Sequence, residues 1–338
     1  MPCKGERSAG RTAGGGVFGG AGSAGRALAG LVLRVSVLTA VLGCGIVAAG
    51  FAATWDTFEG VRAYADTNIA DEDSYVAYAD GGMPPLLRAG AVVALLLLAL
   101  ALVVVSVLHT AHAVVDAHVR RGGGPLTTGE VWRRTRRGLP AALAVNALTG
   151  LAVGAVGLTG PVLWGLAESG EVPGVEPTPL HGTASPRYAL VGWVLPVALG
   201  CLGPLLYSRL SVATAEAVLE QRSPLSALHR SWVLTRRARW RVLGLGTPAA
   251  AVAVGVVALG RFAAAPLAHV GGLGMLWLSD GNVWITGVLV RILPTAVGLL
   301  LLPPVVLPPV CALSARLHAD LRAREEEAAG GVRAASAP

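Results

Sequence analysis

The sequence predicts an all-α, polytopic membrane protein with six transmembrane helices, both termini in the cytoplasm, and two amphipathic basic segments on the cytoplasmic face. Three observations carry this. Of 338 residues, 54% are hydrophobic and 14% charged, and the apolar residues gather in runs of about 20 or more, the length that crosses a bilayer core. The bases alternate: segments 1–27, 114–138, 216–241 and 315–338 hold 4, 6, 6 and 4 of them, against 1, 1 and 0 in segments 54–85, 167–187 and 266–282. That is the positive-inside pattern. Tryptophans mark both boundaries, with Trp55, Trp164, Trp193, Trp277 and Trp284 outside and Trp132, Trp232 and Trp240 inside, as interfacial belts do.

In order, residues 1–25 are rich in Gly, Ala, Ser and Arg without apolar period and read as a disordered cytoplasmic tail. The first span covers 28–53. Its apolar run is too long for a signal-peptide core, and Val41-Leu42-Gly43-Cys44 is a poor cleavage site. Residues 54–85 carry Asp56, Glu59, Asp66, Asp71, Glu72, Asp73 and Asp80 against Arg62. They read as a solvated outer loop, since the acids lack the spacing of a calcium loop. The second and third spans, 86–113 and 139–166, flank a basic segment. The fourth, 188–213, follows an acidic, proline-rich loop. The fifth is 242–265, and a Gly-rich, weakly polar connection leads to Asn282. The sixth, 284–312, is interrupted by Pro294, Pro303, Pro304, Pro308 and Pro309, each of which removes a backbone donor. The membrane domain is 26–318 and the charged cytoplasmic tail 319–338.

The stretch from Ser223 to Leu245 holds the sharpest local signals. Ser223-Pro224 is a helix start, with a hydroxyl cap and proline where no donor is lost. Leu225, Leu228 and Trp232 share one face, and Arg230, Arg237 and Arg241 lie opposite. This predicts a short helix, about Pro224–Thr235, lying in the headgroup layer, then a bend near Trp240. Trp232-x-x-Thr235-Arg236-Arg237 repeats Trp132-x-x-Thr135-Arg136-Arg137 at an offset of 100 residues. The same offset pairs Asp116 with Glu216, and matched position and charge suggest ion pairs to Arg136 and Arg236. Thr127-x-x-Glu130 reads as a capping box.

The run Glu220 … Ala227-Leu228-His229-Arg230-Ser231-Trp232-Val233-Leu234-Thr235-Arg236 … Trp240-Arg241-Val242-Leu243-Gly244 resembles the signature of a bacterial family of multi-spanning proteins, the glycerophosphoryl diester phosphodiesterase membrane-domain-like family. Leu317-His318-Ala319-Asp320-Leu321-Arg322-Ala323-Arg324-Glu325 resembles that family's closing motif, with His318 where tyrosine is usual. The resemblance covers about thirty residues directly. It implies a membrane module and not a hydrolase, because the namesake catalytic domain is a separate soluble unit that no stretch between these spans is long enough to form.

No phosphate loop, nucleophile elbow, zinc-protease motif or dinucleotide fingerprint occurs, so no enzymatic role is expected. The four cysteines form no C-x-x-C pair, so neither disulfides nor a cofactor or structural metal is expected. His109, His112 and Asp116 share a helix face and are read as wetted interfacial residues ahead of ligands. Net charge is +7, but its confinement to alternate connections argues topology over nucleic acid. Of Arg34, Arg209, Arg261 and Arg291, only Arg291 lies deep enough for a polar site in the membrane. The expected role is a multi-pass cell-membrane module, its partner anionic lipid or an unidentified protein, with Arg230, Trp232, Arg236, Arg237, Trp240 and Arg241 meeting the headgroups. The alternative is a transporter with its site at the repeat interface, using Arg291 and the proline-broken sixth helix.

Overall fold

A computed structural model describes residues 13–67, 83–175 and 185–335, and among them the chain is helical with no strand. Six helices are long and apolar enough to cross a membrane: Gly22–Ala53, Met83–Arg120, Thr128–Glu168, Pro186–Leu219, Trp240–Ala263 and Val283–Glu327. Their apolar side chains face largely outward. Leu33, Leu95, Val254 and Phe262 are 66%, 66%, 70% and 79% exposed. Bare apolar surface on this scale has no place in water, whereas hydrocarbon matches it and helices satisfy their own backbone there.

The helices in chain order are α1 (Ala13–Ala53), α2 (Trp55–Thr67), α3 (Met83–Arg120) and α4 (Thr128–Glu168). A turn at Pro186–Tyr188 and a π-helical stretch Ala189–Val194 lead into α5 (Leu195–Leu210), and α6 (Ala213–Leu219) follows. Then come α7 (Pro224–Arg237), α8 (Arg239–Ala263), α9 (Ala265–Leu278) and α10 (Val283–Leu300). A π-helical stretch Leu302–Val306 at Pro303-Pro304 precedes α11 (Leu307–Ala335).

Four expectations need correction. Helix α1 already runs from Ala13, inside the stretch expected to be disordered, although glycine dominates its first turns and extending a helix already nucleated downstream is what carries it there; residues 1–12 lie outside the described residues. The charged tail is helix, not an independent segment, since α11 runs to Ala335 on good helix formers such as Ala, Arg and Glu. The outer loop after the first span begins as helix α2, although its acids Asp71, Glu72, Asp73 and Asp80 lie outside the described residues. The connection before Asn282 contains α9, a 14-residue apolar helix about 21 Å long, too short to span.

The chain divides into two compact units. One comprises 25–108 and 251–309. Here α9 and α10 meet at a turn where Asp280 and Gly281 have φ of 50° and 82°. Asn282 caps α10, its Oδ1 accepting from the amides of Trp284 (3.0 Å) and Ile285 (3.3 Å). Its Nδ2 donates to the Phe58 carbonyl at 3.1 Å, and Arg62 donates to the Asp280 carbonyl at 3.0 Å, so α2 is fastened to this turn.

The other unit comprises the described residues up to 24, 109–250 and 310 onward. Its α4–α5 contact is made by glycine: a Cβ on Gly203 would sit 3.2 Å from Gly157 Cα, and one on Gly160 would collide with the Pro196 carbonyl. Small residues let membrane helices approach backbone to backbone. Thr127 caps α4 through the Glu130 amide at 3.3 Å, one half of the expected capping box, while the Glu130 carboxylate pairs with Arg133 and Arg134. The basic segment 114–138 is divided between the end of α3, a short connection and the start of α4, whereas its counterpart breaks at Ala238 into α7 and α8. The rest of this unit forms the site.

Candidate functional site: an ion-paired helix cluster

Helix α7 begins at Pro224 as expected, with Ser223 extended at φ −62°, ψ 149°, but the Ser223 hydroxyl makes no cap hydrogen bond, contrary to expectation. Its buried face is neither the apolar stripe nor the basic one. Ala227, Ser231 and Thr235 are fully buried and Leu234 nearly so, spaced as one helical face. The Ser231 and Thr235 hydroxyls donate to the Arg209 carbonyl at 2.9 and 3.0 Å, meeting the end of α5. The Arg209 guanidinium returns a bond to the Thr235 carbonyl at 3.0 Å and lies 5.9 Å from the Trp232 ring centroid. Arg209, expected only to snorkel, thus fixes the end of α7. Thr135 is likewise fully buried and donates to the Val131 carbonyl four residues back at 2.8 Å, an acceptor position that Ser231 offers Thr235 as an alternative to Arg209, while Trp132 and Trp232 stay exposed.

The outward face of α7 carries Leu225 (71% exposed), Trp232 and Arg236, with Trp240 (75% exposed) just beyond the bend. His229, Trp232, Val233 and Arg236 line an open pocket of about 710 Å³. Arg237 keeps its place at the end of α7, but its side chain is outside the described residues. Arg230 and Arg241 turn elsewhere, to α11.

Helix α11 packs Leu317 and Leu321 onto Val212, Leu234 and Val242. Above this apolar base lies a set of ion pairs. Arg230 bonds Glu325, Arg322 bonds Glu220, and Arg241 bonds Asp320 at 2.7 Å. Arg322 also reaches Glu325 at 3.3 Å, and Arg222 reaches Glu220 at 3.0 Å and Glu216 at 3.5 Å. Burial raises the Glu325 carboxyl, but the Arg230 and Arg322 guanidiniums outweigh it and hold the group below its ordinary range. The apolar part of the last span ends near residue 312, and Glu325 lies about 20 Å further along the helix, clear of the hydrocarbon.

At the centre is Glu216, fully buried on α6. The expected pairs from Asp116 to Arg136 and from Glu216 to Arg236 do not form. Asp116 binds Arg120, one turn along its own helix, at 2.7 Å. Glu216 faces His318 Nε2 at 3.3 Å, because α11 reaches it and the outward-facing Arg236 does not. Glu216, Glu220 and His318 bring one ligand-type atom each to within 4.8 Å of one another. Among the described residues this set converges, and His109, His112 and Asp116 do not. Arg291 lies on an exposed face of α10.

Residues carrying the two resemblance motifs, Glu220, Arg230 and Arg241 in one and Asp320, Arg322 and Glu325 in the other, are each other's partners. Their opposite charges were the available signal, but pairing across 80 to 100 residues needed the fold. No family model, curated protein or solved structure matches the chain.

Proposed function

We propose that this chain is a non-enzymatic, multi-pass module of the cell membrane, both termini cytoplasmic, whose α7 face engages anionic lipid headgroups. The observation that carries it is the outward face of α7. An exposed Trp232, an exposed Arg236 and a strongly exposed Trp240 stand around an open pocket that also includes His229. Indole rings favour the headgroup level, and a guanidinium there binds phosphate by charge and paired donors. Each base near an anionic surface contributes roughly 1 kcal/mol. The distribution of bases between alternate connections supports the orientation, and the six apolar helices support the membrane setting. The likeness to the phosphodiesterase membrane-domain-like family is part of this proposal and agrees with a module that acts without its own catalytic centre.

The test is native mass spectrometry of the protein released gently from its own membrane. Retained anionic phospholipid, depleted in a Trp232→Ala, Arg236→Ala variant, is the expected result. Equal retention by wild type and variant refutes the assignment of the face. A retained protein subunit in place of lipid would recast the module as a scaffold.

A further inference from the structure

We propose that Glu216, Glu220 and His318 form a binding site for a divalent transition-metal ion that ties α6 to α11. Glu216 is completely buried, and its carboxylate oxygens have only long ion-pair contacts, to His318 at 3.3 Å and Arg222 at 3.5 Å, with no hydrogen bond of good geometry. His318 is 6% exposed, and its Nε2, aimed at Glu216, makes none either. Buried carboxylates without hydrogen bonds are rare and call for a partner of another kind. Here the Glu216 carboxylate and His318 Nε2, on two helices, face each other at 3.3 Å, with the Glu220 carboxylate, itself paired to Arg322, beside them.

The spacing suits a metal. Zinc binds imidazole nitrogen and carboxylate oxygen at about 2.0–2.2 Å, so tetrahedral ligand atoms lie about 3.4 Å apart. Glu216 Oε1 and His318 Nε2 are 3.3 Å apart, His318 Nε2 and Glu220 Oε1 are 3.9 Å apart, and the whole set lies within 4.8 Å. Glu216 and Glu220 are a turn apart at the end of α6, so one helix end presents both carboxylates. One nitrogen and two carboxylates favour zinc, manganese or iron over calcium or magnesium, which prefer oxygen alone.

Two arginines compete for the same carboxylates. Arg322 has a second partner in Glu325. Arg222 lies on the short α6–α7 connection with its side chain 39% exposed and is free to turn to water. A bound metal therefore displaces Arg222 first, and removing Arg222 tightens binding.

The experiment uses the full chain in lipid nanodiscs, stripped with chelator and titrated with Co²⁺, which reports nitrogen and oxygen ligation through visible absorption, and then with Zn²⁺ in competition. One Co²⁺ per chain is expected. Glu216→Gln and His318→Gln each remove a ligand and weaken binding on the order of tenfold or more, the least that loss of even an outer partner costs. Arg222→Met strengthens binding. No ligand-field absorption, binding that survives both ligand substitutions, or an unchanged affinity in Arg222→Met overturns the proposal. The arginine variant keeps the test decisive if Glu216→Gln does not fold.

Discussion

The contact of Arg230 with Glu325 assigns a structural role to a residue that composition alone would send to the headgroups. Arg230→Ala is expected to loosen α11 from α7 while leaving lipid retention unchanged. At about 4 Å and an effective dielectric of 20, a charge pair attracts by about 4 kcal/mol before desolvation and side-chain ordering are subtracted. Exposed pairs retain about 0.2–1 kcal/mol net, and breaking a fully buried pair costs about 3–5. Arg230 and Glu325 are 25% and 31% exposed, between these limits, and Glu325 keeps Arg322 at 3.3 Å, which softens the loss. A coupling of about 1.5 kcal/mol follows, to be read from Arg230→Ala, Glu325→Ala and the double variant. A charge swap is unsuitable because it would set a second guanidinium beside Arg322. The assays are thermal unfolding in nanodiscs and trypsin cleavage after Arg322 and Arg324. A coupling below about 0.5 kcal/mol, within the usual additivity error, would refute the reasoning, as would cleavage no faster than in wild type.

Three further outcomes are expected. Gly160→Ala should lower the melting temperature by the equivalent of about 1–3 kcal/mol, since its Cβ meets the Pro196 backbone, whereas Gly154→Ala, with nothing within 4 Å, should be tolerated. Asn282→Ala removes a helix cap worth about 1 kcal/mol and the side-chain bond to the Phe58 carbonyl, which keeps its own helical donor, adding about 0.5–1.5 kcal/mol; hydrogen exchange should show lost protection across α2. Because Glu325 is depressed in the folded state, its contribution is present above the unfolded carboxyl value, about pH 4.3, and is lost as pH falls through the lower folded value. Tryptic protection of α11 should therefore be flat at neutral pH and drop only in acid, and in Glu325→Gln the acid-dependent drop should shrink.

What the sequence disclosed follows from which signals are local. Spans, the start of α7 at Pro224, the Thr127 cap and the break after α7 depend on neighbours in the chain and are found where expected, although the Ser223 hydroxyl makes no cap bond and Glu130 turns to Arg133 and Arg134. The buried face of α7 was missed because it is built from alanine, serine and threonine, which carry little hydropathy signal. Its contacts are hydroxyl bonds to the Arg209 carbonyl, visible only once α5 is in place. Asp116 and Glu216 were read as matched positions with like partners, but their partners depended on distance in space: Arg120 one turn away for Asp116, and His318 a hundred residues on for Glu216.

The same partition of charges bears on the lipid proposal. Of the arginines read as facing the headgroups, Arg230 and Arg241 are committed to Glu325 and Asp320, and a neutralised pair adds almost nothing to attraction by an anionic surface. Among the described side chains, the electrostatic part of lipid engagement therefore falls to Arg236, about 1 kcal/mol, or roughly fivefold in retention. Trp232 and Trp240 supply a contribution that salt does not screen. Raising ionic strength shortens the Debye length to about 3 Å at 1 M, so retention of anionic lipid should fall by no more than this factor and then level off. Steeper loss would mean that Arg230 and Arg241 also face the lipid, and the ion-paired cluster would then be wrong as well.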